Sequence, residues 1–357
     1  MNSESKPNPA GENSRRSFLE RIGALAAASS VAANAGAQQL PLPPTSGRGP
    51  GRPEPGPLSK APMPTVRFGK YEIGRLIMGV NAPGEHFSVK ESADAREWLT
   101  PERILQENRH MEELGINCME AGQGRIVQYN AEHGGKMLFA TRNEAPMDES
   151  IRPGRGAKEI AKDGCIAIHH GGAGDTGTDA WWRRGKLNRV REWCKAVRDA
   201  GVLVAVTSHR PEVFEIIESQ NWDVDYYMTC LYKYGRTHSE WLKDFASNPH
   251  MMPVEIGYPT EGNSELYGGE IAFVQGDPPA MLKVIKQCKK PCWVYKLLAS
   301  TRLTQRQDIV EDRFKYILSN IKVTDAVVVR MWSKYQDEFA LDKEYVVKYS
   351  PTSIPVS

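Results

Sequence analysis

The chain has 357 residues, with 46 Lys+Arg against 44 Asp+Glu and a formal net charge of +2. Hydrophobic residues make up 40% and charged residues 25%, an ordinary globular mixture with ample length for a large core. Charge this close to balance excludes nucleic-acid binding held mainly by electrostatics. No apolar run approaches the ~18–20 residues that span a bilayer, and six cysteines are too sparse for a disulfide scaffold.

The first 37 residues read as an address. Ser14-Arg15-Arg16-Ser17-Phe18-Leu19 has the form of a twin-arginine export signal. The apolar stretch from Ile22 to Ala33 is too short and Ala-rich to anchor, and Ala35-Gly36-Ala37 is an A-x-A cleavage site. The twin-arginine export machinery is thus an expected partner, and carries proteins already folded. The expected compartment is the bacterial periplasm or beyond, with no stable membrane span after cleavage. Residues 38–65 read as a disordered linker: nine prolines fall between Pro41 and Pro64, among Gly and Ser. Residues 66–345 read as one domain, and 346–357 as a tail.

From Val66 onward β-rich runs alternate with amphipathic helical patterns. Val66-Arg67-Phe68 and Tyr71-Glu72-Ile73, split by Gly69-Lys70, predict a small hairpin. Arg75–Val80 is a first strand. Pro101–Leu114 is helical, with Pro in the first turn and Gly115 as the stop. Ile116–Ala121, Met137–Thr141 and Cys165–His169 are the second, third and fourth strands. Helix Leu187–Ala200 leads to the fifth, Val202–Ser208. Helix Pro211–Ser219 leads to the sixth, Val224–Leu231. Helix Pro278–Gln287 leads to the seventh, Trp293–Leu297, and helix Ile309–Asn320 to the eighth, Ala326–Arg330. Eight such units predict an α/β fold, a closed (β/α)₈ TIM barrel. The long segment Lys233–Gly276 is the main irregularity, of a length that carries function or covers a site.

In this fold the active site lies at the C-terminal strand ends. Those ends present Glu120, Arg142, His169 and His170, His209, Cys230 and Tyr232, Tyr295 and Lys296, and Arg330. Alternation along a strand turns one of His169 and His170 away from the barrel. Glu120 has Arg142 or Lys296 as an expected ion-pair partner. A buried Lys296 needs a carboxylate partner or a lowered pKa. The Gly-rich loop Gly171–Thr178, with Asp175 and Asp179, could fold over a ligand. Trp181-Trp182-Arg183-Arg184 reads either as a sugar-stacking surface or as an ordinary helix approach. Cys288 and Cys292 have the wrong spacing for C-x-x-C and could form a local disulfide. Cys118, Cys165 and Cys230 read as packing.

From Val66 to about Glu338 the chain resembles the aldo-keto reductases, NADP-dependent oxidoreductases on a (β/α)₈ barrel. The resemblance rests on Val66-Arg67-Phe68-Gly69-Lys70, Arg75-Leu76-Ile77-Met78-Gly79, Glu113-Leu114-Gly115-Ile116-Asn117 and Leu138-Phe139-Ala140-Thr141-Arg142. Val206-Thr207-Ser208-His209 is similar to the family's G-V-S-N-H, and Tyr295-Lys296-Leu297-Leu298 falls where the family has Y-S-P-L. The family works with Asp, Tyr, Lys and His. The matching positions here hold Glu120, Arg125, Arg142 and His169. Arginine is too strong a base to donate a proton near neutral pH, so His169, or Tyr129 four residues beyond Arg125, becomes the expected acid. The resemblance implies bound NADP and a carbonyl or sugar substrate. Arg330-Met331-Trp332-Ser333-Lys334 stands where the family has Gly and basic residues for phosphate.

A second reading keeps the barrel and drops the redox step. Glu120, His169 and His209 could hold a divalent metal, with Lys296 as base or electrophile, in a sugar isomerase, epimerase or lyase. A third reading is a barrel that binds a small molecule, a sugar, without turnover.

Overall fold

The computed structural model describes residues 60–79, 89–143, 156–233, 253–259, 270–274, 276–300 and 302–351, with 236, 237, 239, 240, 243 and 244. The expected signal, most of the linker and the last six residues of the expected tail lie outside the described residues. Strand β1 (Thr65–Phe68) pairs antiparallel with β2 (Tyr71–Gly74), the hairpin expected from the sequence. The barrel strands are β3 (Leu76–Met78), β4 (Cys118–Glu120), β5 (Leu138–Asn143), β6 (Ala167–His170), β7 (Leu203–Ser208), β8 (Tyr226–Cys230), β11 (Cys292–Tyr295) and β12 (Ala326–Val329). All pair in parallel, and β12 closes on β3 through Val328↔Ile77. The chain is a (β/α)₈ barrel.

Alternation along the strands sorts side chains into two layers. Ile77, Cys118, Ala140, Ala167, Ala205, Tyr226, Met228, Trp293 and Val328 point inward and fill the barrel. Their neighbours, such as Met119, Ile168, Val206 and Val294, pack outward under the helices. The hairpin plugs the floor. Phe68 meets Tyr226 and Trp293 edge-on, at 5.4 and 5.5 Å between centroids. Arg75, fully buried beside it, donates from Nε to Asp325 O at 2.9 Å and from Nη2 to Lys322 O at 2.8 Å. These backbone carbonyls satisfy a charge that would otherwise be costly there.

Helices follow the expected positions at Pro101–Glu113, Asn188–Arg198, Pro211–Ser219, Asp277–Gln287 and Gln307–Leu318. Thr100 caps the first of these, its hydroxyl accepting from Arg103 N at 3.3 Å, with Pro101 in the first turn. Five others carry weaker sequence signals: Val89–Trp98, Gln123–His133, Ala157–Ala161, Thr178–Arg183 and Glu338–Tyr349. The last runs beyond the expected domain boundary at residue 345, with Val346 buried. At the other end Met63, assigned to the linker, is buried beneath the floor. Within the long insertion, β9 (Pro253–Pro259) and β10 (Glu270–Val274) form an antiparallel pair.

Cys288 and Cys292 are thiols, and Lys322 Nζ donates to Cys292 Sγ at 3.6 Å. Among the described residues no helix is long and apolar enough to cross a membrane.

Candidate active site at the barrel mouth

The C-terminal strand ends bring together most of the residues marked in the sequence. Glu120 ends β4 and is followed by Ala121 at φ 52, a left-handed turn in a residue with a Cβ. His169 points inward from β6. Its Nε2 lies 3.1 Å from Glu120 Oε1, and its Nδ1 lies 3.1 Å from Thr207 Oγ1 on the adjacent strand. Glu120 therefore pairs with His169, rather than with the expected Arg142 or Lys296.

His209 follows β7 and centres a second network. Its Nδ1 lies 2.7 Å from Asp179 Oδ2, and its Nε2 3.0 Å from the hydroxyl of Tyr295 at the end of β11. Asp179 also accepts from Ser208 Oγ at 2.6 Å and from His209 N at 3.3 Å. Burial alone would raise the Asp179 pKa, but His209, Arg210 and Ser208 outweigh it and hold the carboxylate low. Burial alone would likewise lower His209, but Cys230 and Asp179 lift it to about 9. At neutral pH this pair is carboxylate and imidazolium. Burial pushes the Tyr295 phenol well up, with Cys230 and Asp179 adding to the effect.

The Gly-rich loop builds this arrangement. Thr178 N and Asp179 N donate to Gly171 O and Gly172 O at 2.8 and 3.1 Å, which folds the loop back over the strand end. A Cβ on Gly172 would lie 3.0 Å from His209 Cε1, and one on Gly177 only 2.4 Å from Gly172 O. Glycine at both positions lets backbone press against the imidazole.

Lys296, the first residue after β11, is half-buried at φ +63. Burial lowers its pKa; Cys230 opposes the shift, while Arg302 and Arg330 reinforce it. Arg142 lies on the rim and donates from Nη2 to Ala173 O at 3.1 Å.

Four sequence assignments need correction. Tyr129 lies in the second half of helix Gln123–His133, which leads away from the mouth, and its hydroxyl donates to Glu112 at 2.8 Å. His170 points outward; it shares a hydrogen bond with Thr178 Oγ1 at 2.8 Å and meets the edge of Trp193. Tyr232 is buried in the outer layer and bonded to Arg313 on helix Gln307–Leu318. His209 is taken up by Asp179 and Tyr295, apart from the Glu120–His169 pair. Among the described residues no group of three His, Cys, Asp or Glu is arranged to hold a metal ion.

The structure also answers two open readings. Trp181 is buried with Arg184 over its ring, and Arg210 lies over Trp182, so guanidinium groups occupy the faces a sugar would stack on. Asp179 and Cys230 join the site, although from sequence the first reads as a loop residue and the second as packing. Cys230 hydrogen-bonds to both His209 and Tyr295.

The described surface also has a cleft of about 600 Å³ at the opposite end, lined by Arg67, Lys70 and Glu72 of the hairpin and by Val323 and Thr324. It lies at the floor, away from the strand ends where barrel chemistry resides.

No family model matches the chain, and no curated protein matches it. Among solved structures it is similar to a truncated 3-deoxy-D-arabino-heptulosonate 7-phosphate synthase from Thermotoga maritima. That match has 12% identity over 80% of this chain and 90% of that one, with a TM-score of 0.41. It is also similar to the N-acetylmannosamine-6-phosphate 2-epimerase from Clostridium perfringens, at 14% identity over 71% and 85%, with a TM-score of 0.40. Likeness at this level carries no statement about activity.

Proposed function

We propose that the chain is an enzyme of proton-transfer chemistry, of isomerase, epimerase or lyase type, acting on a small sugar-like substrate in the barrel mouth. One observation carries this reading: two carboxylate–imidazole networks meet at the end of β7. Thr207 holds His169 beside Glu120, and two residues on, His209 is held as an imidazolium by Asp179. A buried imidazolium and a carboxylate at one barrel mouth offer a proton donor and a proton acceptor. The His209 imidazolium donates to Tyr295 O, and the Tyr295 hydroxyl can pass a proton to a bound carbonyl or leaving group. Glu120, oriented by His169, takes a proton from carbon.

The aldo-keto reductase reading finds less support. Tyr129, one of its two candidate proton donors beside His169, is bonded to Glu112. After β12, Trp332 N donates to Glu338 Oε2 at 3.0 Å and Ser333 N to Glu107 Oε1 at 3.3 Å. Carboxylates there engage amides in the stretch the family uses for cofactor phosphate. The metal-dependent version also lacks support, because its three ligands are divided between the two networks.

The test is hydrogen exchange at carbon. Sugars, sugar acids and their phosphate esters incubated in D₂O with the protein should include one whose C–H exchanges. His209→Gln and Tyr295→Phe should each slow that exchange at least about 100-fold, within the range of a general acid–base catalyst. Absence of exchange across the panel rejects the reading. Action outside the cytoplasm belongs to the same proposal, supported by the ordered signal features from Ser14 to Ala37. Replacing Arg15 and Arg16 with lysine should leave the protein in the cytoplasmic fraction; continued export would refute that part.

A further inference from the structure

We infer that Glu240, in the segment between β8 and β9, is a positioning residue of the mouth: by holding the Arg210 guanidinium it reserves the Asp179 carboxylate for His209. Resting on the acid–base reading of the mouth, this assignment names what keeps the acid in its charged form. Arg210 directly follows His209 and is fully buried, with its guanidinium over the Trp182 ring at 5.3 Å. Both of its terminal nitrogens donate to Glu240, Nη1 to Oε1 and Nη2 to Oε2 at 2.8 Å. Arg183 Nη2 lies 3.6 Å from the same Oε2. Glu240 is itself fixed by a reciprocal cap: its Oε2 accepts from Thr237 N at 2.8 Å, and its own N donates to Thr237 Oγ1 at 3.2 Å. Arg236, one residue before Thr237, donates to Asp244 at 2.8 Å and to Asp277 at 3.0 Å, which fastens the turn to the start of helix Asp277–Gln287.

The path from Arg210 to His209 is short. Arg210 N donates to Ser208 Oγ at 3.0 Å, and Ser208 Oγ donates to Asp179 Oδ1 at 2.6 Å. The Arg210 charge also acts on Asp179 through space and helps to hold it low. Two carboxylates, Asp179 and Glu240, thus compete for one guanidinium. The bidentate fork goes to Glu240, and Asp179 accepts instead from Ser208 and from His209 N and Nδ1. Burial alone would raise Glu240, but Arg210, the Thr237 amide and Arg183 outweigh it and hold the carboxylate at about 2. Glu240 therefore keeps its claim on Arg210 throughout the range in which His209 is charged. Without that hold the guanidinium is drawn to Asp179, and a carboxylate shared with an arginine supports the imidazolium less. The groups that set the state of His209 are then Asp179, Arg210, Cys230, Tyr295 and Glu240, with Arg183 beside Glu240.

The experiment is NMR of the imidazoles in the full chain, with the His209 signal identified as the one missing from His209→Gln. Wild-type His209 should titrate near 9, and in Glu240→Gln at least about one pH unit lower. On an Arg210→Met background, Glu240→Gln should move His209 by less than about 0.3 pH unit, because the guanidinium that carries the effect is gone. An unmoved His209 in Glu240→Gln, whatever its urea midpoint, overturns the inference and leaves Glu240 a structural fastening. Equal shifts with and without Arg210 also overturn it, since they mark a direct field of Glu240 on His209. If circular dichroism shows that Glu240→Gln or Arg210→Met fails to fold, Glu240→Asp decides in its place. It keeps the charge on a shorter stem and loses the fork, so His209 should again titrate lower, and an unmoved His209 overturns the inference. Absence of carbon exchange on every sugar refutes the proton-transfer proposal and leaves this coupling standing. Exchange with an unmoved His209 does the reverse.

Discussion

Replacing Asp179 with asparagine should destabilise the protein by roughly 3 kcal/mol at pH 7 and lower the His209 pKa from about 9, leaving the part of the lift that Cys230 supplies. Cys230 and Asp179 together lift His209 from 6.5 to about 9 in a fully buried setting, a difference worth on the order of 3 kcal/mol that the two partners share. Removing one member of a buried pair costs a similar amount, because the other charge is left without compensation. A histidine raised on folding contributes stability that is complete below the unfolded pKa of 6.5 and is lost as pH rises through about 9. Asp179 is depressed on folding, so its contribution is present above 3.8 and is lost as pH falls through its lower native value. Wild type and Asp179→Asn should therefore differ most between these limits, and the His209 part of the difference should vanish by about pH 10. Urea unfolding at pH 5, 7 and 10 measures this, with NMR of the imidazole reporting the pKa. A gap independent of pH would show that the Asp179–His209 pair is not ionic.

The Asp179–His209 pair is not legible from the sequence. His209 was visible as a strand-end residue because alternation along β7 fixes which residues face inward. Asp179 is 30 positions earlier, beyond the Gly-rich loop, and nothing in its own neighbourhood names His209 as its partner. The glycines were the available signal: they let the loop fold tightly over the end of β6 and press on the imidazole. Cys230 fell into the packing class because a strand cysteine has no local pattern that separates a core thiol from one lining a mouth. Tyr129 was assigned to the mouth through family spacing. Helix Gln123–His133 turns by about 100° and rises ~1.5 Å per residue, so the four residues from Arg125 to Tyr129 advance more than one turn along the outer layer.

The architecture was more legible than the site. Each barrel strand is a short run of inward and outward apolar residues, and long helices such as Asn188–Arg198 bury a regular stripe of Val190, Trp193, Cys194 and Val197. The helix Gln123–His133 buries only Ile126 and Tyr129, too thin a stripe to register. The pair β9 and β10 was hidden by Pro and Gly within Pro253–Pro259. Residues near it tie the insertion to the barrel: Arg236 forms an ion pair with Asp277, and Arg210 with Glu240 through its Nη2 at 2.8 Å. Both are long-range pairings of residues whose side chains are buried or half-buried. Charge composition alone could not have revealed them.

The hairpin at the floor should prove a larger stability element than its length implies. Phe68 is 2% exposed, and its ring touches Tyr226 and Trp293, the two largest aromatic side chains inside the barrel. On the opposite side the lining is small, Ala140, Ala167 and Ala205, so no large neighbour can move in to fill the space left by Phe68. Phe68→Ala should therefore cost about 3–5 kcal/mol, the range for a buried phenylalanine at a site that collapses poorly. Trp293→Ala should cost a similar amount. The double variant should depart from additivity by about 0.5–1.5 kcal/mol, because the rings are in contact. The floor is at the opposite end from His209, so folded Phe68→Ala should leave the His209 pKa close to its wild-type value. Urea midpoints and NMR of the imidazole on the same samples measure both effects. A cost below about 1 kcal/mol would show that the barrel is closed by its strands alone, with the hairpin only resting against the floor.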